Sequence, residues 1–192
     1  MTLTKKSFDL LLIPTIICAA GLGQSAMAGT TATTKISASI VGGSCQITVP
    51  PTVKIHNGGL IPAEDITTTS DISEPFDLTI EDCKGYGLTP SITIQGDTDD
   101  TSGEELFMST GSTSRGYGIL LSTAGNANFN GNDNLVKDNK ITAQNKEWNK
   151  TFASTLNGTI PLKATVSCGS CIANKLQGGE LIASVTFTFV YQ

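Results

Sequence analysis

Two cysteines three residues apart, in Cys168-Gly169-Ser170-Cys171, have the spacing of a dithiol redox centre. That chemistry needs the first thiol at a helix N-terminus, where the helix dipole favours the thiolate. Here the flanking residues read as strands and no helical periodicity follows, so a redox role is disfavoured. The same four residues open the pattern of a papain-type nucleophile, which continues with Trp or Tyr and needs a distant downstream His. Ile172 follows instead, and the only histidine, His56, lies upstream. A Ser–His arrangement therefore has little support, and His56 reads as a solvated residue of its Gly- and Asn-containing turn.

Metal chemistry fares no better. Zinc held by four cysteines wants two close pairs, and the sequence has one. Asn126, Asn128 and Asn130, followed by Gly131, resemble the opening of a calcium loop. The twelfth position is Lys137, where a bidentate Glu is required. Asp97, Asp99 and Asp100 crowd together without continuing such a pattern, and both clusters read as turn residues. The expectation is a protein with no enzymatic activity, no metal and no cofactor.

The elements that carry these residues follow an N-terminal leader. Lys5 and Lys6 precede an apolar run from Leu10 to Gly23, and Ala26-Met27-Ala28 supplies the small residues of a cleavage site. Residues 1–28 thus read as a secretory signal peptide. The run is shorter than the roughly 20 apolar residues of a membrane span, and no later stretch approaches that length. Removing Lys5, Lys6 and Asp9 from 12 basic and 17 acidic residues leaves 10 and 16, a net charge of −6. Without a Lys or Arg cluster, nucleic acid and direct membrane insertion are poor fits.

Cys18 leaves with the leader, and Cys45, Cys83, Cys168 and Cys171 remain. An even count in an exported chain reads as two disulfides with three possible pairings. The reading favours Cys45 with Cys83 and Cys168 with Cys171. In the chain-entropy model the long loop stabilises by about 4 kcal/mol and the short one by about 2.

Strand signals dominate residues 29–192. Thr34, Ile36, Ala38 and Ile40 alternate with Lys35, Ser37 and Ser39. Further runs cover Gln46 to Ile55 (bent at Pro50-Pro51), Phe76 to Glu81, Ile92 to Ile94, Gly118 to Ser122, Thr159 to Ser167 and Ala183 to Tyr191. Turn-forming clusters at His56 to Gly59, Gly96 to Gly103, Gly125 to Asn134 and Gln177 to Gly179 separate them. Seven or eight short strands so punctuated predict an all-β, antiparallel sandwich in one domain. Asp133 to Lys150 fits a loop, an edge strand or one helical turn. Gly42-Gly43-Ser44 reads as a hinge between a 29–44 extension and a domain over 45–192, and the pattern alone fits equally an ordinary first strand paired in its own sheet.

In this order and spacing the chain resembles the chaperone–usher pilins, specifically type 1 fimbrial subunits. The resemblance rests on the alternating segment before Cys45, on Phe76-Asp77-Leu78-Thr79-Ile80-Glu81-Asp82-Cys83, and on Gly116-Tyr117-Gly118-Ile119-Leu120-Leu121. Ile160-Pro161-Leu162-Lys163-Ala164 continues it. Its most specific part is a penultimate Tyr191 with Gly179 fourteenth from the end, bracketing an alternating strand.

The resemblance implies an immunoglobulin-like β-sandwich that lacks its final strand and is completed by a neighbour's N-terminal donor strand, a known form of β-augmentation. Thr34, Ile36, Ala38 and Ile40 would then be the groove-facing donor residues, although the family often has Gly where Ala38 stands. Gly179, Ala183, Val185, Phe187, Phe189, Tyr191 and Gln192 would form the groove edge that a periplasmic chaperone and an outer-membrane usher recognise. Cys45–Cys83 would be the usual family disulfide, and Cys168–Cys171 an addition to it. The implied role is a structural subunit of an adhesive fimbrium, exported through the periplasm to the bacterial surface and partnered by other pilin subunits. A minor or adaptor pilin is the alternative within the family, and a monomeric exported carbohydrate-binding module the alternative outside it.

Overall fold

Alternating apolar and polar residues build the strands, because successive side chains of a strand point to opposite faces. The computed structural model describes residues 34–35, 37–38, 43–145 and 153–191. Contacts divide the chain into two units, Met1–Ala38 and Ser39–Gln192. In the first, Thr34, Lys35, Ser37 and Ala38 are exposed and outside any strand. Ile36 and Ile40 lie outside the described residues.

The second unit carries β1 (Gly43–Thr48), β2 (Ser73–Gly85), β3 (Pro90–Gly96), β4 (Thr98–Asp99), β5 (Leu106–Phe107) and β6 (Gly118–Thr123). A single helical turn, α1 (Leu135–Asp138), precedes β7 (Lys140–Thr142), β8 (Gly158–Ser167) and β9 (Val185–Tyr191). Six strands form one sheet in the order β1-β2-β8-β6-β5-β4, and three form another in the order β7-β3-β9. Every strand pairing is antiparallel. The protein is all-β, and no helix among the described residues is long and apolar enough to cross a membrane.

Both sheets feed one apolar core. Leu78 and Ile80 of β2, Ile160, Leu162 and Ala164 of β8, Ile92 and Ile94 of β3 and Ile141 of β7 are buried together. The β2 pattern would turn Cys83 outward if the alternation ran on unbroken from Ile80. A bulge corrects it. The register shifts between Ser44 and Gln46, and Asp82 adopts φ 50°. The extra residue brings Cys83 back to the inner face, where it bridges Cys45. Cys168 bridges Cys171.

Of the stretch read over 133–150, the part up to residue 145 holds a helical turn followed by an edge strand, and 146–150 lie outside the described residues. Asn134 caps α1, its side chain accepting from the Lys137 backbone N–H at 3.0 Å. The loop before it is organised by asparagines. Asn126 Oδ1 accepts from the Asn128 and Phe129 N–H groups, and the Asn126, Asn128 and Asn130 amide nitrogens donate to Thr159, Thr155 and Ala143 carbonyls. These carboxamides structure their own loop and do not converge on one point. The strand read over Gln46 to Ile55 stops at Thr48, and the chain enters a 3-10 turn at Ile55–Gly58 in which His56 has φ 54°.

Candidate functional site: a groove between two unpaired strand edges

Four strands lie at sheet edges, and they differ. β4 has two residues, Thr98 and Asp99, and β7 has three, including Lys140. Short polar edges of this kind offer little to an incoming chain. β1 and β9 are longer, with six and seven residues. Among the described residues, β1 pairs with β2 alone and β9 with β3 alone. The two edges face each other without hydrogen bonding into one sheet.

Between them the core is left partly open. Cys45, Ile47 and Val49 on one side, and Ala183, Val185, Phe187, Phe189 and Tyr191 on the other, pack against the buried cluster while remaining partly exposed. In the middle of β2 and β8 inward residues reach full burial, as Leu78 and Ile160 do. Ile47, Thr48 and Val49 together with Val185, Thr186 and Phe187 line a cleft of about 270 Å³.

The opposite end of the groove is shut by Tyr191. Its ring lies over Gly43, so that a Cβ built there would come within 2.7 Å of Tyr191 Cε2 and 2.6 Å of the Lys84 carbonyl oxygen. Its hydroxyl lies 3.7 Å from Cys45 Sγ, and since a disulfide sulfur has no hydrogen the phenol is the donor. Phe189 meets the Tyr191 ring edge-on at 5.0 Å. Burial holds the Tyr191 phenol above its ordinary pKa. The groove is therefore open toward Val49 and Val185 and closed where Gly43 and Tyr191 meet.

The structure brings Ala183, Val185, Phe187, Phe189 and Tyr191 together along this groove. Gly179 lies elsewhere, in the segment that leads into β9. A Cβ on Gly179 would meet Ser114 N and Thr113 C at 2.6 Å, so this position requires a glycine to let two backbones touch. Gln192 lies outside the described residues. Gly43, read in the sequence as part of a hinge, begins β1 and pairs with Gly85. The wall formed by Ile47 and Val49 was visible in the sequence only as an ordinary alternating run. What makes it a groove wall is its place at a sheet edge.

Other constellations are absent or occupied. Cys168 is buried after the end of β8 and not at the start of a helix. Among the described residues no group of three or more His, Cys, Asp or Glu side chains could hold a metal ion. A second hollow of about 290 Å³ is lined by Glu104, Glu105, Asn134 and Lys137. The sequence matches no protein-family model and no curated protein.

Proposed function

We propose that this protein is a structural subunit of a bacterial surface fimbrium, and that it polymerises by placing its N-terminal segment in the groove of the next copy. One observation carries the reading: two long, mutually facing strand edges, unpaired among the described residues, flank a row of half-buried apolar side chains. A strand inserted there gains main-chain hydrogen bonds along an edge and buries every second side chain. On this reading the two sheets form an immunoglobulin-like sandwich one strand short. The alternating run Thr34, Ile36, Ala38 and Ile40 has the period such a strand needs.

The same logic gives the partners. An open apolar groove is an aggregation hazard, so an exported subunit needs a periplasmic chaperone to cover it and an outer-membrane usher to exchange that cover for a neighbour's segment. The two disulfides fit an oxidising compartment. Register decides which residues enter, since a slip of one residue would present Lys35, Ser37 and Ser39 to the groove.

The test compares thermal melts of a chain beginning at Gly43 with the same chain carrying residues 30–42 after Gln192 through a short linker. Burying two Ile side chains with Thr and Ala adds roughly 5 kcal/mol. The appended chain is expected to be monomeric with a melting temperature higher by about 10–20 °C. Two stable monomers melting alike would show the sheets to be complete, and would favour the monomeric carbohydrate-binding reading.

A further inference from the structure

The second disulfide is not needed to close the groove's first wall, because Cys45–Cys83 already ties β1 to β2. What Cys168–Cys171 holds is the chain leading to the other wall. Cys168 directly follows β8 in a fully buried position, with its sulfur 3.4 Å from the Ile66 carbonyl oxygen. The bridge closes a tight turn in which the Cys171 N–H donates to the Cys168 carbonyl at 2.8 Å. Cys171 has φ 49°, a left-handed conformation that a non-glycine residue keeps only when its surroundings hold it there. The turn itself is docked, with the Ser170 N–H donating to the Ser102 carbonyl.

From this turn the chain crosses from the larger sheet to the smaller one as a strap over 172–184. It is pinned along residues 109–115 almost without a break. Gln177 and Arg115 exchange two backbone hydrogen bonds. The Thr113 and Ser114 N–H groups both donate to the Glu180 carbonyl, and the Ser109 N–H donates to that of Ile182. Side chains fill the gaps. Ser112 Oγ donates to the Ile182 carbonyl and accepts from the Ile182 N–H, while Ser109 Oγ accepts from the Ser184 N–H. β9 begins at the next residue. The Ser112 and Ser109 bonds are exposed to water, so they compete with solvent one by one and persist only if the strap is aimed correctly at its start.

We infer that Cys168–Cys171 is a clasp that positions β9 as a groove wall, so that each of the two disulfides fixes one wall. Without the bridge, Cys171 relaxes to negative φ, the strap leaves the 109–115 segment, and β9 loses the anchor at its first residue. The loosened strand grips an inserted segment less firmly, although the core under β1 and β2 is untouched. This role rests on the groove reading above for its consequence, but not for its geometry.

The experiment is hydrogen exchange followed by mass spectrometry on the exported chain carrying a second copy of residues 30–42 after Gln192. In Cys168→Ser/Cys171→Ser, amides of 177–191 and of the appended segment are expected to exchange at least tenfold faster, with those of β1 and β2 unchanged. Unchanged protection over 177–191 would overturn the proposal by showing that the bridge holds only its own turn. Equal loss throughout, β1 and β2 included, would overturn it by making the bridge a general staple. Should the double variant fail to fold, Ser112→Ala keeps both disulfides and removes the partner of Ile182. It is expected to speed exchange over the same residues, and no change there overturns the positioning role of the strap. An appended segment already unprotected in the parent chain would instead count against the groove reading, while leaving the comparison over 177–191 decisive for the clasp.

Discussion

At the scale of single residues, Tyr191 and Gly43 act as one unit. The ring occupies the space that a Cβ at position 43 would fill, and the Lys84 carbonyl blocks the only retreat. Gly43→Ala is therefore expected to destabilise the chain by about 1–3 kcal/mol, read as a melting temperature lower by about 2–10 °C. Tyr191→Phe keeps the ring and loses only the hydroxyl's contact with Cys45 Sγ, so near neutral pH its cost is expected to be under about 1 kcal/mol. The two differ in alkali. Burial raises the Tyr191 phenol above its ordinary value near 10, so the folded chain holds that proton more tightly than the unfolded one. Stability is then indifferent to this group below pH 10 and falls as pH rises above it toward the folded value. Melts across that window are expected to show a loss in the parent chain that Tyr191→Phe lacks. If residues 34–40 insert into a neighbour as proposed, Ile36→Asp would place a charge in an apolar groove. It is expected to abolish fibres while leaving chaperone binding intact, and normal fibres seen by electron microscopy would refute the assigned register.

At the scale of elements, strands with a clean period of two were legible in the sequence. Phe76 to Glu81 falls within β2, and the run Ala183 to Tyr191 covers β9, which begins at Val185, while Thr159 to Ser167, read as a continuously apolar strand, falls within β8. Both disulfide pairs were legible as well, one from its close spacing and the other as the remaining pair. β4, β5 and β7 were not, because strands of two or three residues are too short to display a period. Nor was the start of β1, since Gly43 is held by a partner, Gly85, far along the chain. The tight packing of Gly179 on Thr113 and Ser114 is equally long-range, and a local pattern records only that a glycine stands there. That contact gives a clear expectation. Gly179→Ala pushes a methyl group against main-chain atoms that cannot swing aside, and is expected to lower stability by about 1–3 kcal/mol in denaturant titrations. The two bridges are also expected to differ in weight. Loss of Cys45–Cys83 opens a loop of 38 residues and removes about 4 kcal/mol in the chain-entropy model, so this variant should unfold at the lower denaturant concentration.

At the scale of the whole molecule, the groove joins the two ends of the domain's chain order. Among the described residues, one wall is β1, the first strand, and the other is β9, the last. The sheets between them are stitched by distant pairings, β2 with β8 and β3 with β9. Such topologies fold slowly, because loop entropy must be overcome before the contacts form. This order has a consequence for a chain that is still being made or threaded across a membrane. β3 has no partner on its β9 side until residues beyond Ser184 arrive, so an unfinished chain has no second wall. If the chain accepts a neighbour's segment as proposed, synthesis must therefore reach β9 first. A chain truncated after Ser184 is expected to capture no added peptide of residues 30–42 in a native-gel assay, however long it is incubated. On the proposed function, the placement of β9 would work as a test of completeness: fragments from interrupted translation or proteolysis would be refused as links in the polymer by their topology alone.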